Sequence, residues 1–600
     1  LNPFDSLNGY QIIFRFTLSG QIRDKPDAVN AIELPIINTD LTANKLPITT
    51  AAIFPEKFSG ELFFASNARV TAIILAVFML IGFGLRVTNL GAESLGEDEL
   101  NKLQTVAEYR ENGLSGKNGE HPFLMKGLQT LSVSAAETLN SSANLNISDE
   151  AAIRFPIALF GSFTALLIFL LVAELFGVGI GLVSAVLWCI EPVAIGFDRI
   201  AKEDSLVLFF FLLTNLFWIR GQTAAELGKK NWTRYAWATA AGFAALMASK
   251  YYPHLLAVIG AYYIIFQYIP ATRWRMEPSR WLKFLVVMGV SFLILNPTIV
   301  LPDTWREMLK FSTENRIGHD SYEFLGGLYT NKMSAWLNGV PWTFYYVFIA
   351  VKTSLATLIM FVIGLPLIFK RKMGDGRFFI FFWAFMWFMP FTFLGGKFTR
   401  YFTLVEPMIL IIAAVGFCLA LKWLTERWRM AGAGRAAFQS VLLLVFITFP
   451  LLNALAVRPH FRMFTNSVGG GTRSAGEYFP HDEFYDSATK DIVAGILPIA
   501  PPQTTIACET PTLFDYYAAK AGRNDLTFVS LSDKAEVAGL KVGDVIVIAS
   551  GRRYFSNAEY VSYLTSSASP AFEIKILDST AALVYQLNER SLADIRKLAE

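Results

Sequence analysis

Charge is what this 600-residue chain has least of: 17% of its residues are Asp, Glu, Lys or Arg, against 54% hydrophobic and 14% aromatic, with a mean hydropathy of +0.42. A soluble globular domain carries about 25% charged residues, so a set of water-soluble domains is excluded for most of the chain. Fifty-two Phe and thirteen Trp need lipid as their solvent. The net charge is only +3, too small a basic field for a nucleic-acid-binding body. Cysteine is almost absent: Cys189 and Cys418 lie in apolar runs and Cys508 in a polar region, which excludes a disulfide framework. No Asp-x-Asp occurs, which argues against a metal-bound nucleotide-sugar donor. Nor is there a period of the kind that marks a repeat array.

What is present is a series of long apolar runs. Eleven are nearly free of charge: 70–85, 155–173, 175–197, 205–219, 235–249, 251–269, 284–302, 341–369, 378–396, 401–421 and 436–457. The shorter ones gain length by snorkelling end residues such as Arg69 and Arg86. The expected fold class is therefore a multi-pass α-helical integral membrane protein of about eleven transmembrane helices. Orientation follows from the loop cations. Arg220, Lys229, Lys230 and Arg234 fill one loop, and Arg273, Arg275, Arg280 and Lys283 another. Lys370, Arg371, Lys372 and Arg377, then Lys422, Arg427, Arg429 and Arg435, mark two more. All four read as cytoplasmic.

This topology puts three segments outside: 87–152, 303–340 and 458–600. The last changes character, with strand-like Thr504–Cys508, Val545–Ala549 and Phe572–Leu577 around a helical pattern at Thr512–Ala521. It is expected to be a small extracytoplasmic α/β domain. Residues 1–67 form a polar extension with no assigned function, and 68–457 form the membrane domain. The implied location is the inner, cytoplasmic membrane.

Ionisable residues in or beside spans are functional candidates, because they are costly there. Glu191, Lys352 and Glu406 lie within runs, while Arg154, Arg199, Lys202, Asp204, Lys250, Lys397 and Arg400 lie at their outer ends. So many cations on the side where the positive-inside rule disfavours them predict an outward polar cavity that holds an anion. The first outer loop adds an acidic pair, Asp98-Glu99. Adjacent helical residues diverge by about 100°, so one carboxylate is chemical and the other structural. Later in that loop, Pro122 suits the opening of a helix carrying Lys126 on its first turns. An acid that activates a hydroxyl, facing cations that stabilise a leaving phosphate, suits a group transfer.

The ordered set of motifs resembles the protein O-mannosyltransferase family and its bacterial phospholipid-carrier-dependent relatives, which include the aminoarabinose transferases. The acidic pair is followed by His121-Pro122-x-x-x-Lys126, Arg154-x-Pro156, Arg199-Ile200-Ala201-Lys202-Glu203-Asp204, Pro341-Trp342 through Lys352-Thr353, and Gly396-Lys397-Phe398-Thr399-Arg400-Tyr401. Arg458-Pro459-His460 through Gly469-Gly470-Gly471 and Tyr478-Phe479-Pro480-His481-Asp482 resemble the tail of bacterial members. The resemblance implies the GT-C fold, a catalytic carboxylate on the first outer loop and a polyprenyl-phosphate-linked sugar donor. Asp98 matches the first acid of the family's pair and becomes the general base, with Glu99 binding or orienting. Phe123 stands where the family commonly has a second Pro, which leaves sugar and acceptor open.

The expectation is transfer of mannose or another hexose from a polyprenyl-phosphate donor to an acceptor hydroxyl on the extracytoplasmic face, with inversion. The donor phosphate would lie on Lys126, Arg199, Lys397 and Arg400. His121, Arg154, Asp204 and Lys352 are expected to be substrate-binding or structural, with Asp204 paired to a cation such as Arg199. No metal site is expected: His481, Asp482, Glu483 and Asp486 read as a solvated loop, and a divalent cation stays open as cofactor. Partners are the lipid-linked donor, a protein or glycolipid acceptor and the bilayer, and no nucleic acid. Two alternatives stand: transfer to lipid A or another envelope glycolipid, and a lipid-linked sugar transporter or flippase, which would need a midplane site and paired halves.

Overall fold

The computed structural model describes residues 62, 65, 67–251, 276–313, 320–370, 373 and 376–599. Most of the N-terminal extension and of the run 251–269, with His254, lies outside the described residues. The chain is mostly helical: α1 (Ala68–Val87), α2 (Glu97–Asn112), α3 (Phe123–Ala143), α4 (Asp149–Phe176), α5 (Val178–Ile190), α6 (Pro192–Phe197), α7 (Asp204–Glu226), α8 (Trp232–Ser249) and α9 (Pro278–Leu295). Then follow α10 (Phe344–Lys352), α11 (Leu355–Ile368), α12 (Gly376–Phe393), α13 (Glu406–Arg427) and α14 (Gly432–Ala456). Seven of the described helices are long and apolar enough to cross a membrane, with α5 and α11 as shorter apolar helices. This is an integral membrane fold.

Local chemistry sets the ends. The Asn67 side chain accepts from the Arg69 and Val70 amides at the start of α1, and Ser148 accepts from Ala151 at the start of α4, meeting donors that the helix leaves unpaired. The bundle centre is α5, buried from Gly179 to Ile190 and enclosed by α1, α4, α13 and α14. Helices α11 and α13 meet at backbone distance: a Cβ on Gly364 would lie 1.9 Å from the Ile412 carbonyl oxygen. Small residues permit this approach in lipid, where there is no hydrophobic force between helices to drive packing.

Three expected spans are discontinuous, and each break carries a charge. The run 175–197 stops at Glu191 between α5 and α6, and 341–369 breaks after Lys352 between α10 and α11. The run 401–421 begins with a 3₁₀ turn, Thr399–Leu404, before Glu406 opens α13. The Glu191 carboxylate accepts from the Ser354 hydroxyl at 2.9 Å, the Ser354 amide at 3.3 Å and the Thr357 hydroxyl, so it caps α11 across the gap. Polar backbone freed by a helix break in lipid needs such a partner.

After α14 the chain leaves the bundle and ends in a five-stranded sheet of order β4-β3-β5-β7-β6. Its strands are β3 (Thr505–Cys508), β4 (Thr527–Ser530), β5 (Val545–Ala549), β6 (Phe572–Ile576) and β7 (Ser579–Gln586), while β1 (Ser321–Phe324) and β2 (Gly327–Thr330) form a hairpin in the segment 303–340. The β3–β4 and β3–β5 pairs are parallel, the others antiparallel. The α/β domain is thus as expected, with β4 and β7 added. Its helix Pro511–Lys520 packs against α2, which makes this domain part of the setting of segment 87–152.

Candidate active site

The acidic pair opens α2, where aligned peptide dipoles favour negative charge. Glu99 faces inward and is fully buried. Its oxygens take a bidentate pair from Arg154 at 2.9 and 2.6 Å, the Ala201 amide at 2.6 Å and the Gly96 amide at 2.8 Å. Burial works against its ionisation, yet Arg154 and these donors hold its carboxyl below the usual range. Every lone-pair direction has a partner, which is the structural role the pair's geometry requires of one member. Asp98, one residue earlier, turns out of the helix with its side chain 37% exposed, and its carboxylate is ion-paired to the Lys202 ammonium.

Lys202 belongs to a group of charges drawn from four elements. Arg400 and Lys250 act on it electrostatically along with Glu203 and Asp204, and burial together with the Arg400 cation lowers its ammonium to about 7. Lys250, at the end of α8, contacts Asp204 at 2.8 Å and lies 5.0 Å from the Tyr401 ring centroid. The Arg400 guanidinium sits 4.0 Å over Phe398 and 3.4 Å from Asp482. Asp482 in turn accepts from the Tyr322 hydroxyl at 2.5 Å and the Thr399 amide at 2.7 Å. Asp204 therefore pairs with Lys250 rather than with Arg199: α8 ends beside the start of α7, a proximity that sequence spacing does not show.

Behind this rim, Glu203 is shared by Lys102 at 3.1 Å and His121 at 3.2 Å. Burial opposes its ionisation, but His121, Lys102, Lys202 and Lys250 hold it well below the carboxylate range. Burial pushes the His121 imidazole down to about 4, further than Glu203 raises it. Lys126 is on the first turns of α3, as Pro122 suggested. Its ammonium donates to the carbonyls of Asn118 (2.7 Å) and Lys117 (3.3 Å), and burial lowers it to about 8.

The remaining cations divide the same way. Arg199 donates to the carbonyls of Leu85, Arg86, Thr88 and Asn89, closing the C-terminal end of α1. Arg154 adds the carbonyls of Leu90, Glu93 and Ser94 to its Glu99 pair. Lys352 is buried against Glu483 and the carbonyls of Arg462 and Phe464, tying α10 to the segment that follows α14. Lys397 is buried, donates to the Leu394 carbonyl, and is lowered to about 8 by burial. The structure thus brings Asp98, Asp204 and Arg400 together with Lys202 and Lys250, and sets Arg154, Arg199, Lys126 and Lys352 into the framework.

The C-terminal domain grips this loop. The Leu95 amide donates to the Tyr517 hydroxyl at 2.7 Å, and that hydroxyl donates to Glu150 at 2.8 Å. Lys490 donates to the Gly91 carbonyl, and Arg552 pairs with Asp486 and Glu97. A Cβ on Gly96 would lie 2.5 Å from the Tyr485 ring, so a side chain at this N-cap of α2, two residues before Asp98, would displace that ring. His481, Asp482, Glu483 and Asp486 are not a solvated loop; Asp482, Glu483 and Asp486 are bound to Arg400, Lys352 and Arg552 respectively. Among the described residues no group of His, Cys, Asp and Glu could hold a metal ion. Two open clefts, about 540 and 340 Å³, lie between hairpin β1–β2 and the sheet domain, sharing Glu323, Ser550 and Gly551.

Sequence reasoning placed Lys202 and Lys250 among the outer charges without giving them a role. Lys202 had a signal, its position inside the stretch Arg199–Asp204. Tyr322 had none.

Residues 138–300 match the family described as dolichyl-phosphate-mannose-protein mannosyltransferase. The match covers about a quarter of the chain. The matched span holds Arg154, Arg199, Lys202, Asp204 and Lys250. Among solved structures, the chain is similar to ArnT from Cupriavidus metallidurans bound to undecaprenyl phosphate, at 12% identity over 86% of this chain and 97% of that one, with a TM-score of 0.45. It is also similar to the Archaeoglobus fulgidus oligosaccharyltransferase tethered with an acceptor peptide, at 11% identity over 81% and 70%, with a TM-score of 0.49. A protein O-mannosyltransferase complex from S. cerevisiae, bound to the sugar donor, overlaps 44% of this chain and 37% of its own at 16% identity, with a TM-score of 0.31. No curated protein sequence matches the chain.

Proposed function

We propose that this protein transfers a sugar, mannose or another hexose, from a polyprenyl-phosphate-linked donor to an acceptor hydroxyl on the extracytoplasmic face of the inner membrane. The observation that carries the reading is Asp98: a part-exposed carboxylate at a helix N-terminus, facing Lys202 with Arg400 and Lys250 behind it. The partner supported is a lipid-linked donor whose prenyl chain lies in the bilayer and whose phosphate lies against these cations.

Asp98 acts as general base. It removes the hydroxyl proton as the acceptor oxygen bonds the anomeric carbon from the side opposite the phosphate. The bond from that carbon to the phosphate oxygen breaks, and the electron pair leaves with the phosphate, which gains one negative charge. The product is inverted. No general acid is needed, because cations aimed at the departing oxygen stabilise it without reorganisation. Glu99 positions the base by fixing the first turn of α2 on Arg154.

The test compares wild type with Asp98→Asn in lipid nanodiscs, scoring release of polyprenyl phosphate from a panel of polyprenyl-phosphate sugars with peptide and glycolipid acceptors. Turnover that Asp98→Asn reduces by about 10²- to 10⁴-fold, with the donor still bound, supports the reading. A product of retained configuration overturns the single displacement, and equal turnover by both proteins removes Asp98 from the base role. The acceptor consumed decides between protein and glycolipid.

A further inference from the structure

We infer that Lys202 follows the negative charge through the reaction, pairing with Asp98 at the start and with the leaving phosphate at the end. The inference rests on the glycosyl-transfer reading above and assigns a role to a residue that no motif gave one.

The argument starts from the ion pair. Asp98 is the part-exposed carboxylate of the acidic pair, and among the described residues the side chain that holds it is Lys202, whose own stem is buried. A carboxylate in such a pair is a weak base, because the cation stabilises its ionised form. If Lys202 stayed on Asp98 throughout, it would resist the proton transfer that the reaction needs.

Charge accounting removes the conflict. The donor phosphodiester carries one negative charge and Asp98 another. After transfer Asp98 is neutral, holding the hydroxyl proton, and the phosphate monoester carries two. The total is unchanged; its position moves. A cation beside both groups that shifts toward the phosphate is bound more strongly in the transition state than in the ground state, and this is what lowers a barrier.

The surroundings suit Lys202 to that movement and its neighbours to holding still. Lys250 is committed to Asp204 and Arg400 to Asp482, and the Arg400 guanidinium carbon sits 4.0 Å from the Phe398 ring centroid. Glu203, the next residue, is shared by Lys102 and His121. Among the groups facing Lys202, the anions Asp98, Asp204 and Glu203 draw it while the cations Arg400 and Lys250 repel it. An ammonium on a flexible four-carbon stem can change partner without breaking a fixed fork geometry, which an arginine cannot do as readily. Its lowered proton affinity, near 7, agrees with a site crowded by other cations.

The experiment uses the full-length protein in nanodiscs and three forms: wild type, Lys202→Met and Lys202→Arg. The readouts are kcat and donor KM on the best polyprenyl-phosphate sugar, and inhibition by polyprenyl monophosphate, the charge image of the product. Lys202→Met is expected to lower kcat by about 100-fold, the usual effect of one transition-state donor, with donor KM changed less than about threefold and monophosphate inhibition weakened about tenfold. Lys202→Arg should recover monophosphate binding but only part of kcat. A Lys202→Met protein that keeps kcat, or loses donor KM alone, overturns the inference and leaves the transferase standing. Wild type that neither turns over any polyprenyl-phosphate sugar nor binds polyprenyl monophosphate overturns the parent reading and this one with it.

Discussion

The end of α1 and the start of α2 face the same side of the membrane and hold their charges in opposite ways. At the end of α1, Arg199 and Arg154 are bound to backbone carbonyls: four for Arg199, and three for Arg154 beside its Glu99 pair. At the start of α2, Asp98, Lys202, Lys250, Asp204, Arg400 and Asp482 are bound chiefly to each other's side chains. A carbonyl belongs to the fold and cannot be exchanged without unfolding a turn. A side-chain carboxylate can be exchanged for a substrate anion of similar charge. The difference separates cations that build the loop from cations that can meet a ligand, although both groups look alike in the sequence.

Breaking the framework side should cost the most. Glu99→Gln leaves the Arg154 guanidinium buried without its counter-charge, and losing one partner of a buried pair costs about 3–5 kcal/mol. Thermal unfolding of the detergent-solubilised variant should fall well below wild type; an unchanged midpoint would put Glu99 on the exchangeable side. Asp98→Asn is the opposite case. It is expected to lower turnover by about 10²- to 10⁴-fold while the unfolding midpoint stays near that of wild type, since its side chain is part-exposed.

A smaller effect tests whether the C-terminal domain holds the loop. Tyr517→Phe removes the acceptor of the buried Leu95 amide, and an unsatisfied buried donor costs about 1–3 kcal/mol. Hydrogen exchange over residues 95–100 should quicken while α5 is unchanged; uniform exchange rates would show that the domain does not support the loop. The smallest effect is one of pH. Lys202 has a folded pKa near 7, below its unfolded value of about 10.4. Between these values the unfolded chain binds the extra proton, so stability rises with pH, by at most about 1.4 kcal/mol per pH unit. Wild type should therefore gain stability relative to Lys202→Met from pH 7 to pH 10, and a difference that is flat or shrinks would contradict the placement of that ammonium.

Much of the fold was legible because its signals are local. Apolar runs need only composition, and α1 and α14 begin and end within a few residues of the expected spans, while α4 starts earlier and α7 ends later than expected. Asn67 and Ser148 mark starts by capping chemistry that lies within three residues. The breaks at Glu191 and Lys352 were not legible, since each depends on partners far along the chain: Ser354 and Thr357 for the first, Glu483 and the Arg462 carbonyl for the second. In the site, the divergence of adjacent helical residues is visible in Glu99, buried on Arg154, and Asp98, part-exposed beside Lys202. It could not tell that Arg199, so prominent in its motif, closes the end of α1.

The sequence by itself determined that this chain lives in a membrane, that a small α/β domain follows the helices, and that acids and cations gather outside the spans, because hydropathy and charge act residue by residue. Only the tertiary structure decided which of those charges are bound to backbone and which to one another. Pairing depends on distances between segments a hundred residues apart, such as Asp98 and Lys202, and packing alone sets those distances.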